Sequence, residues 1–260
     1  MLKVRIARPD DADSIVELVR GGFDKKRLGT LIYGCRGMNR YIRQQLNAPG
    51  EISDTAFFVA ENRGSLVGCA ELRLHHDAIF LNVICTSSSH RGRGVGTKLL
   101  YDALVTVKKE SQRKISLDVF CDNFPARSWY EQLGFKPEYY NAWWSIALSQ
   151  RMARPQGQIS GYALAEACQR VFGFSSLVLA TSRNSYSIGR LANNWFRVTQ
   201  QDILSDGEAL SCLRILDDQR RLLGIFREDP QVVLPGNAEQ ICRSSRMTMK
   251  MDALLRKLSV

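Results

Sequence analysis

Residues 55–107 constrain the fold of this chain more than any other stretch. Three runs of strand composition, Thr55–Glu61, Ser65–His75 and Ile79–Thr86, are separated by the turn signals Asn62-Arg63-Gly64 and His76-Asp77. Short runs joined by tight turns read as an antiparallel meander. Directly after them comes "SHRGRGVG", residues 89–96. Val95, Leu99, Leu100, Ala103, Leu104 and Val107 then recur at helical spacing. A glycine loop between a strand and a helix suits an anion. Gly92, Gly94 and Gly96 allow positive φ. Successive N–H groups can then converge on one ligand. The helix N-terminus adds its positive dipole end, and Arg91 and Arg93 add charge.

Two phosphate loops are excluded by spacing. A dinucleotide fingerprint needs G-x-G-x-x-G, and its third glycine would fall on Thr97. A triphosphate loop needs glycine, lysine, then serine or threonine, but Gly96 is followed by Thr97-Lys98. Both loops also belong to parallel βαβ sheets, not to the end of a meander.

The remaining pattern sets the predicted organisation. Lys3–Ala7 alternates like a strand, and Ala12–Gly22 and Met38–Leu46 read as helices, the second stopped by Pro49-Gly50. Lys25–Gly37 is basic and without a period. Ile115–Cys121 reads as a strand, Pro125–Leu133 as a helix closed by Gly134, and Trp143–Leu148 as a strand. "SQRMARPQGQ", residues 149–158, is read as a linker. Beyond it, a helix is expected at Gly161–Phe172. Strands are expected at Ser176–Thr181, Trp195–Thr199, Leu210–Leu216, Leu222–Arg227 and Arg246–Met251. The expected fold class is α/β of the α+β type. It has a mixed, mainly antiparallel sheet flanked by helices over 1–148, and a smaller α+β domain over 159–260. That second half has no further glycine loop, and a degenerate copy of the first fold stays open as a reading.

The net charge of +10 is shared evenly by residues 1–150 and 151–260. It favours anionic ligands without naming one. No run approaches the ~18 apolar residues of a membrane span. The charged start "MLKVRIARPDDAD" is not a leader, so the cytoplasm is the expected compartment and no membrane partner is expected. Seven widely spaced cysteines and three histidines argue against a disulfide framework and a metal centre.

Residues 116–135, "SLDVFCDNFPARSWYEQLGF", supply a second constellation. It runs strand, Asn123, a helix with Ala126 and Tyr130, then Gly134-Phe135. Together with Arg91, Gly94 and Gly96 it resembles the GNAT superfamily of acyl-CoA-dependent N-acyltransferases, over about residues 3–148. The resemblance implies a donor, acetyl-CoA or another acyl-CoA, whose pyrophosphate is cradled by Arg91, Gly92, Arg93, Gly94, Val95, Gly96 and Thr97. It implies that Ile84, Cys85 and Thr86 pair with the pantetheine arm, and that Asn123 and Ala126 lie beside it. Tyr130 is implied near the thioester sulfur as the proton donor, and no metal is implied.

The general base is open. Asn82 stands on the fourth strand, and Glu71 is taken as the candidate, with His75, His76 and Asp118 also considered. The implied reaction moves an acyl group, most simply acetyl, to an amine of a small molecule, peptide or protein. The alternatives are a non-catalytic acyl-CoA-binding or interaction module, and an acetyltransferase associated with RNA or the ribosome.

Overall fold

The computed structural model describes residues 2–48, 50, 52–148, 157–229 and 233–259. The chain divides into two compact units. The first holds Met1–Lys25, Asn39–Glu138 and Ser245–Val260, and the second holds Lys26–Met38 and Tyr139–Ser244.

In the first unit, β1 (Leu2–Ile6) pairs antiparallel with β2 (Thr55–Asn62). The expected meander is present: β2, β3 (Ser65–Leu74) and β4 (Ala78–Thr86) run antiparallel in succession. Helix α4 (Val95–Val107) then crosses to β5 (Lys114–Phe120), which runs parallel to β4. Five of the six residues in the predicted stripe of α4 are buried, namely Val95, Leu99, Leu100, Ala103 and Leu104. They join Phe58, Leu72, Ile79, Ile115 and Leu117 in one core. Each fully buried leucine there contributes about 2 kcal/mol, which fixes the helix on the sheet. Helices α1 (Ala12–Arg20), α3 (Met38–Asn47) and α5 (Phe124–Leu133) complete this part, and the short α2 (Lys25–Leu28) lies between α1 and α3 in the chain.

The last sixteen residues return to this unit. Within β12 (Ala238–Lys250) the alternating stretch from Ser245 lies beside β5. Thr248 Oγ1 donates to the Ile115 carbonyl at 3.3 Å, and the Met251 amide donates to the Arg113 carbonyl at 2.9 Å. Met247 is buried, and α8 (Met251–Leu258) adds Met251, Leu254 and Leu258 to the same core. The units therefore differ from a cut in chain order at 149–158. An amphipathic terminal strand and helix find their apolar partners around β5 and α4. Residues 149–156 of the expected linker lie outside the described residues, as does Pro49 of the expected helix stop. Gln158 is not linker: it opens β7 (Gln158–Ser160), paired with β8.

In the second unit, β8 (Phe174–Ala180), β9 (Ser185–Leu191) and β10 (Trp195–Val198) form a second antiparallel meander. Helix α6 (Tyr162–Phe172) precedes it. After β10 a 3-10 turn (Gln201–Ser205) and α7 (Gly207–Leu216) lead to β11 (Arg221–Arg227), parallel to β10. β11 then pairs antiparallel with residues 141–146 of β6 (Lys136–Ile146). Meander, helix, parallel strand is the order of β2 to β5 repeated without a recognisable sequence repeat.

The expected strand at Leu210–Leu216 is corrected: it is helical. Asp206 caps α7, accepting from the Glu208 and Ala209 amides at 3.0 Å each, and Ala209, Cys212 and Leu213 are buried at helical spacing. A parallel crossover needs an element of this length, whereas a seven-residue apolar run alone does not distinguish strand from helix. All seven cysteines are free thiols.

Candidate functional site

The site begins where two strands part. β4 and β5 pair only from Ala78 opposite Lys114 to Leu81 opposite Leu117. Both strands continue, β4 to Thr86 and β5 to Phe120, without further pairing to each other. On its other edge β4 stays on β3, but the register slips. Glu71 faces Val83 while Leu72 faces Leu81, so Asn82 is the extra residue of a bulge. A bulge bends its strand and increases the local twist, which turns the end of β4 away from β5. Val83, Ile84, Cys85 and Thr86 line the groove of about 570 Å³ that results. A strand edge freed in this way offers backbone N–H and C=O groups to an extended ligand.

The glycine loop closes one end. Gly92 and Gly94 have φ of +70° and +75°, and no atom lies within 4 Å of where a Cβ would stand. Their requirement is conformational, since a side chain at such φ is strained even in open space. Gly96, inside α4, instead has Thr86 Oγ1 and Trp129 at 3.7 Å from a Cβ position. The amides of the first helical turn have no intrahelical carbonyl to donate to, and the loop leaves the α4 N-terminus bordering the groove. Arg91 lines the mouth, its Nε 3.4 Å from the Thr86 carbonyl. His90 braces the loop. Its Nδ1 is 2.9 Å from both Ser87 Oγ and Ser89 Oγ, and its Nε2 is 3.3 Å from Asn62 Nδ2 on β2.

Helix α5 forms the facing wall. Asn123 caps it, its Oδ1 accepting from the Ala126 amide at 3.4 Å, and Gly134 ends it at φ +97°. Pro125, Ala126, Trp129 and Tyr130 face the groove. Tyr130 is 7% exposed, with the Trp129 ring centroid at 5.0 Å and that of Phe135 at 5.7 Å. Burial, reinforced by the neighbouring Cys85 thiol, pushes its phenol well above the ordinary tyrosine range. Among the described residues nothing hydrogen-bonds its hydroxyl. Tyr130 is therefore a protonated donor at neutral pH and cannot act as a base. Cys85 donates from Sγ to the Leu18 carbonyl at 3.1 Å. Burial raises this thiol too, against the opposing charge of Arg91, so it stays protonated.

Of the residues singled out in the sequence, Ile84, Cys85, Thr86, Arg91, Gly92, Gly94, Val95, Gly96, Thr97, Asn123, Ala126 and Tyr130 all line this groove. Arg93 is exposed on the loop and does not line it. Neither does Glu71, which is buried on β3 with its carboxylate 3.6 Å from Arg73 Nε. Asp118 is engaged by Arg246 through two hydrogen bonds of 2.6 and 2.8 Å. His75 and His76 are exposed at the β3–β4 turn. Sequence reasoning passed over Gly22, Phe23, Val83, Pro125 and Trp129, which with His90 of the loop complete the lining. Phe23 stands edge-on to Phe120 at 6.2 Å. Pro125 and Trp129 sit beside the motif positions Asn123 and Tyr130, and that adjacency was the available signal. Phe23 falls between the expected helix Ala12–Gly22 and the aperiodic stretch that begins at Lys25, and no pattern marks it.

Residues 33–135 match the family model described as the acetyltransferase (GNAT) family. Over 88 residues the chain is 36% identical to N-alpha-acetyltransferase 40 of Saccharomyces cerevisiae, covering 31% of each protein. Over 81 residues it is 28% identical to a candidate ribosomal protein bS18-alanine N-acetyltransferase of Bacillus subtilis, covering 31% of this chain and 54% of that one. The aligned stretch thus spans about a third and about half of the length of these two curated relatives. The fold is shared with a tandem GNAT protein from the clavulanic acid biosynthesis pathway. The TM-score is 0.60 at 14% identity, over 96% of this chain and 98% of that one. The family match is confined to residues 33–135, and within it lie the glycine loop, Asn123 and Tyr130.

Proposed function

We propose that the first unit is an N-acyltransferase that takes an acyl group, most simply acetyl, from acetyl-CoA and delivers it to an amine by direct attack. One observation carries this reading: the freed edge of β4 runs straight into a glycine loop at a helix N-terminus. An extended amide-bearing arm joined to a pyrophosphate fits that sequence of groups. The edge at Ile84, Cys85 and Thr86 suits the arm. Gly92, Gly94, Val95, Gly96 and Thr97 offer backbone N–H groups to the anion, with Arg91 beside them and Arg93 adding charge from the loop. Asn123 is committed to its cap, so its part is to hold α5, with Ala126, against the donor.

The donor supplies an activated acyl thioester, and the chain supplies orientation and a proton. An amide of the freed β4 edge is suited to bear the charge developing on the carbonyl oxygen. Tyr130, kept protonated by burial, gives its proton to the departing sulfur. Both curated relatives are named for polypeptide amines, an N-alpha amine in one and an alanine of a ribosomal protein in the other. Those names support an acceptor presented by a polypeptide. Millimolar acetyl-CoA should raise the melting temperature of the purified protein by several degrees, and CoA thiol should be released when a suitable amine is added. An unchanged melting temperature across short acyl-CoAs would remove the basis of this reading.

A further inference from the structure

We propose, resting on the acyltransferase reading of the groove, that the acceptor is an amine substantially neutral at physiological pH, the α-amine of a polypeptide. It is selected by its own pKa, not by a protein base. The groove lining carries the argument. Among the described residues it contains no carboxylate. Its titratable and charged side chains are Cys85 from β4, His90 and Arg91 from the loop, and Tyr130 from α5, while the α1 side brings only Gly22 and Phe23. Tyr130 and Cys85 are protonated, and Arg91 is a cation. Both ring nitrogens of His90 are engaged, by Ser87 and Ser89 on one side and Asn62 on the other. Asp24 and Asp122, the chain neighbours of Phe23 and Asn123, are not lining residues, and neither are three other acids of this unit. Glu71 lies beside Arg73, Asp118 is held by Arg246, and Glu17 on α1 borders a second pocket of about 340 Å³ that shares Thr86 and Arg91 with the groove.

Among the described residues no carboxylate lines the groove to take the proton of an entering ammonium, so the proton goes to solvent first. A terminal α-amine, with pKa ~7.7–8.0, is about one quarter to two fifths neutral at pH 7.5, whereas a lysine, at ~10.4, is about one part in a thousand. The step then balances. The neutral nitrogen forms the new C–N bond, the C–S bond breaks, and Tyr130 protonates the sulfur. The proton shed by the nitrogen restores Tyr130 directly or through water, leaving an amide and free CoA thiol. Phe23, backed edge-on by Phe120 of β5, adds an apolar face on the α1 side, which suits a neutral nitrogen better than an ammonium.

The test uses the full chain, acetyl-CoA and two short peptides. One has a free α-amine and a free lysine. In the other, an electron-withdrawing first residue lowers the α-amine pKa. Mass spectrometry is expected to find the acetyl group on the α-amine, with the lysine at least tenfold slower at pH 7.5. The pH profile of kcat/KM is expected to rise tenfold per unit to a single break that moves with the peptide's own pKa. Acetylation mainly on lysine would overturn the proposal. So would a break that stays fixed when the amine changes, and its loss in Glu17→Gln or Glu71→Gln would name the missing base. Acetyl-CoA stabilisation measured in the same samples separates the two readings, since its absence counts against the donor site and not against this selection.

Discussion

Leu81 faces Leu117 as the last rung of the parallel β4–β5 ladder, and both are buried in the core of the first unit. One residue later, at Asn82, the bulge begins and the strands part. The groove is thus a product of strand register, with its floor fixed by apolar packing and its walls by the unpaired residues beyond that rung. Substitutions in its walls should alter ligand binding without unfolding the unit.

Gly94→Val tests the anion end. A β-branched residue at φ +75° is strained by about 1–2 kcal/mol, with no steric clash to add. The free protein should therefore stay folded, with a melting temperature lower by a few degrees. Acetyl-CoA affinity should fall at least tenfold by calorimetry, because the α4 amides can no longer keep the loop geometry.

Tyr130→Phe removes the proposed acid and keeps the ring contacts with Trp129 and Phe135. We expect kcat to fall about a hundredfold, with the donor dissociation constant within about threefold of the parent. The pH dependence has a definite sign. Tyr130 acts while protonated, and burial raises its pKa above the ordinary value of ~10. Its ionisation should therefore cause no loss of kcat up to about pH 10. A decline below that, present in the parent and absent in Tyr130→Phe, would contradict the assignment.

Leu254→Ala tests the membership of the C-terminal helix in the first unit. Leu254 is fully buried in the core that contains Leu99, Leu104 and Ile115. Its truncation should cost about 2–4 kcal/mol in thermal or urea unfolding. The loss should be partly recovered by saturating acetyl-CoA, which binds the folded unit alone.

Asp206 tests the second unit. It is 1% exposed and accepts from Thr181 Oγ1 at 2.6 Å, Tyr186 OH at 3.0 Å and the first amides of α7. Burial opposes its charge, but these hydrogen bonds outweigh burial and hold its carboxyl below the usual range. A depressed folded pKa stabilises above the unfolded value of ~3.9, and the stabilisation is lost as pH falls through the folded value. Asp206→Ala should cost about 2–4 kcal/mol near pH 7, from a lost cap and two stranded hydroxyls. The difference from the parent should shrink below about pH 4.

Much of the donor groove was legible in the sequence because it rests on local devices. Alternation marked the meander, the apolar stripe marked α4, and two short motifs named most of the lining. The features that escaped depend on distant partners. β9 reads "SYSIGRL", too polar and glycine-broken to declare itself, and is a strand because β8 and β10 flank it. The run Leu210–Leu216 was ambiguous until the parallel β10–β11 pair required a crossover. Met247 and Leu254 belong to a core more than a hundred residues earlier in the chain, and no periodicity reveals that. Glu71 had the right chemistry for a base, but the register leaves it beside Arg73.

In the second unit Asp206 precedes the crossover helix at the point where Gly94 precedes α4 in the first. Its carboxylate takes the amides that an anion would need. Only the first unit should therefore bind donor. Calorimetric titration with acetyl-CoA tests this account most directly. It predicts one site per chain, weakened at least tenfold by Gly94→Val and kept by Asp206→Asn. Two sites per chain, or undiminished binding to Gly94→Val, would contradict it.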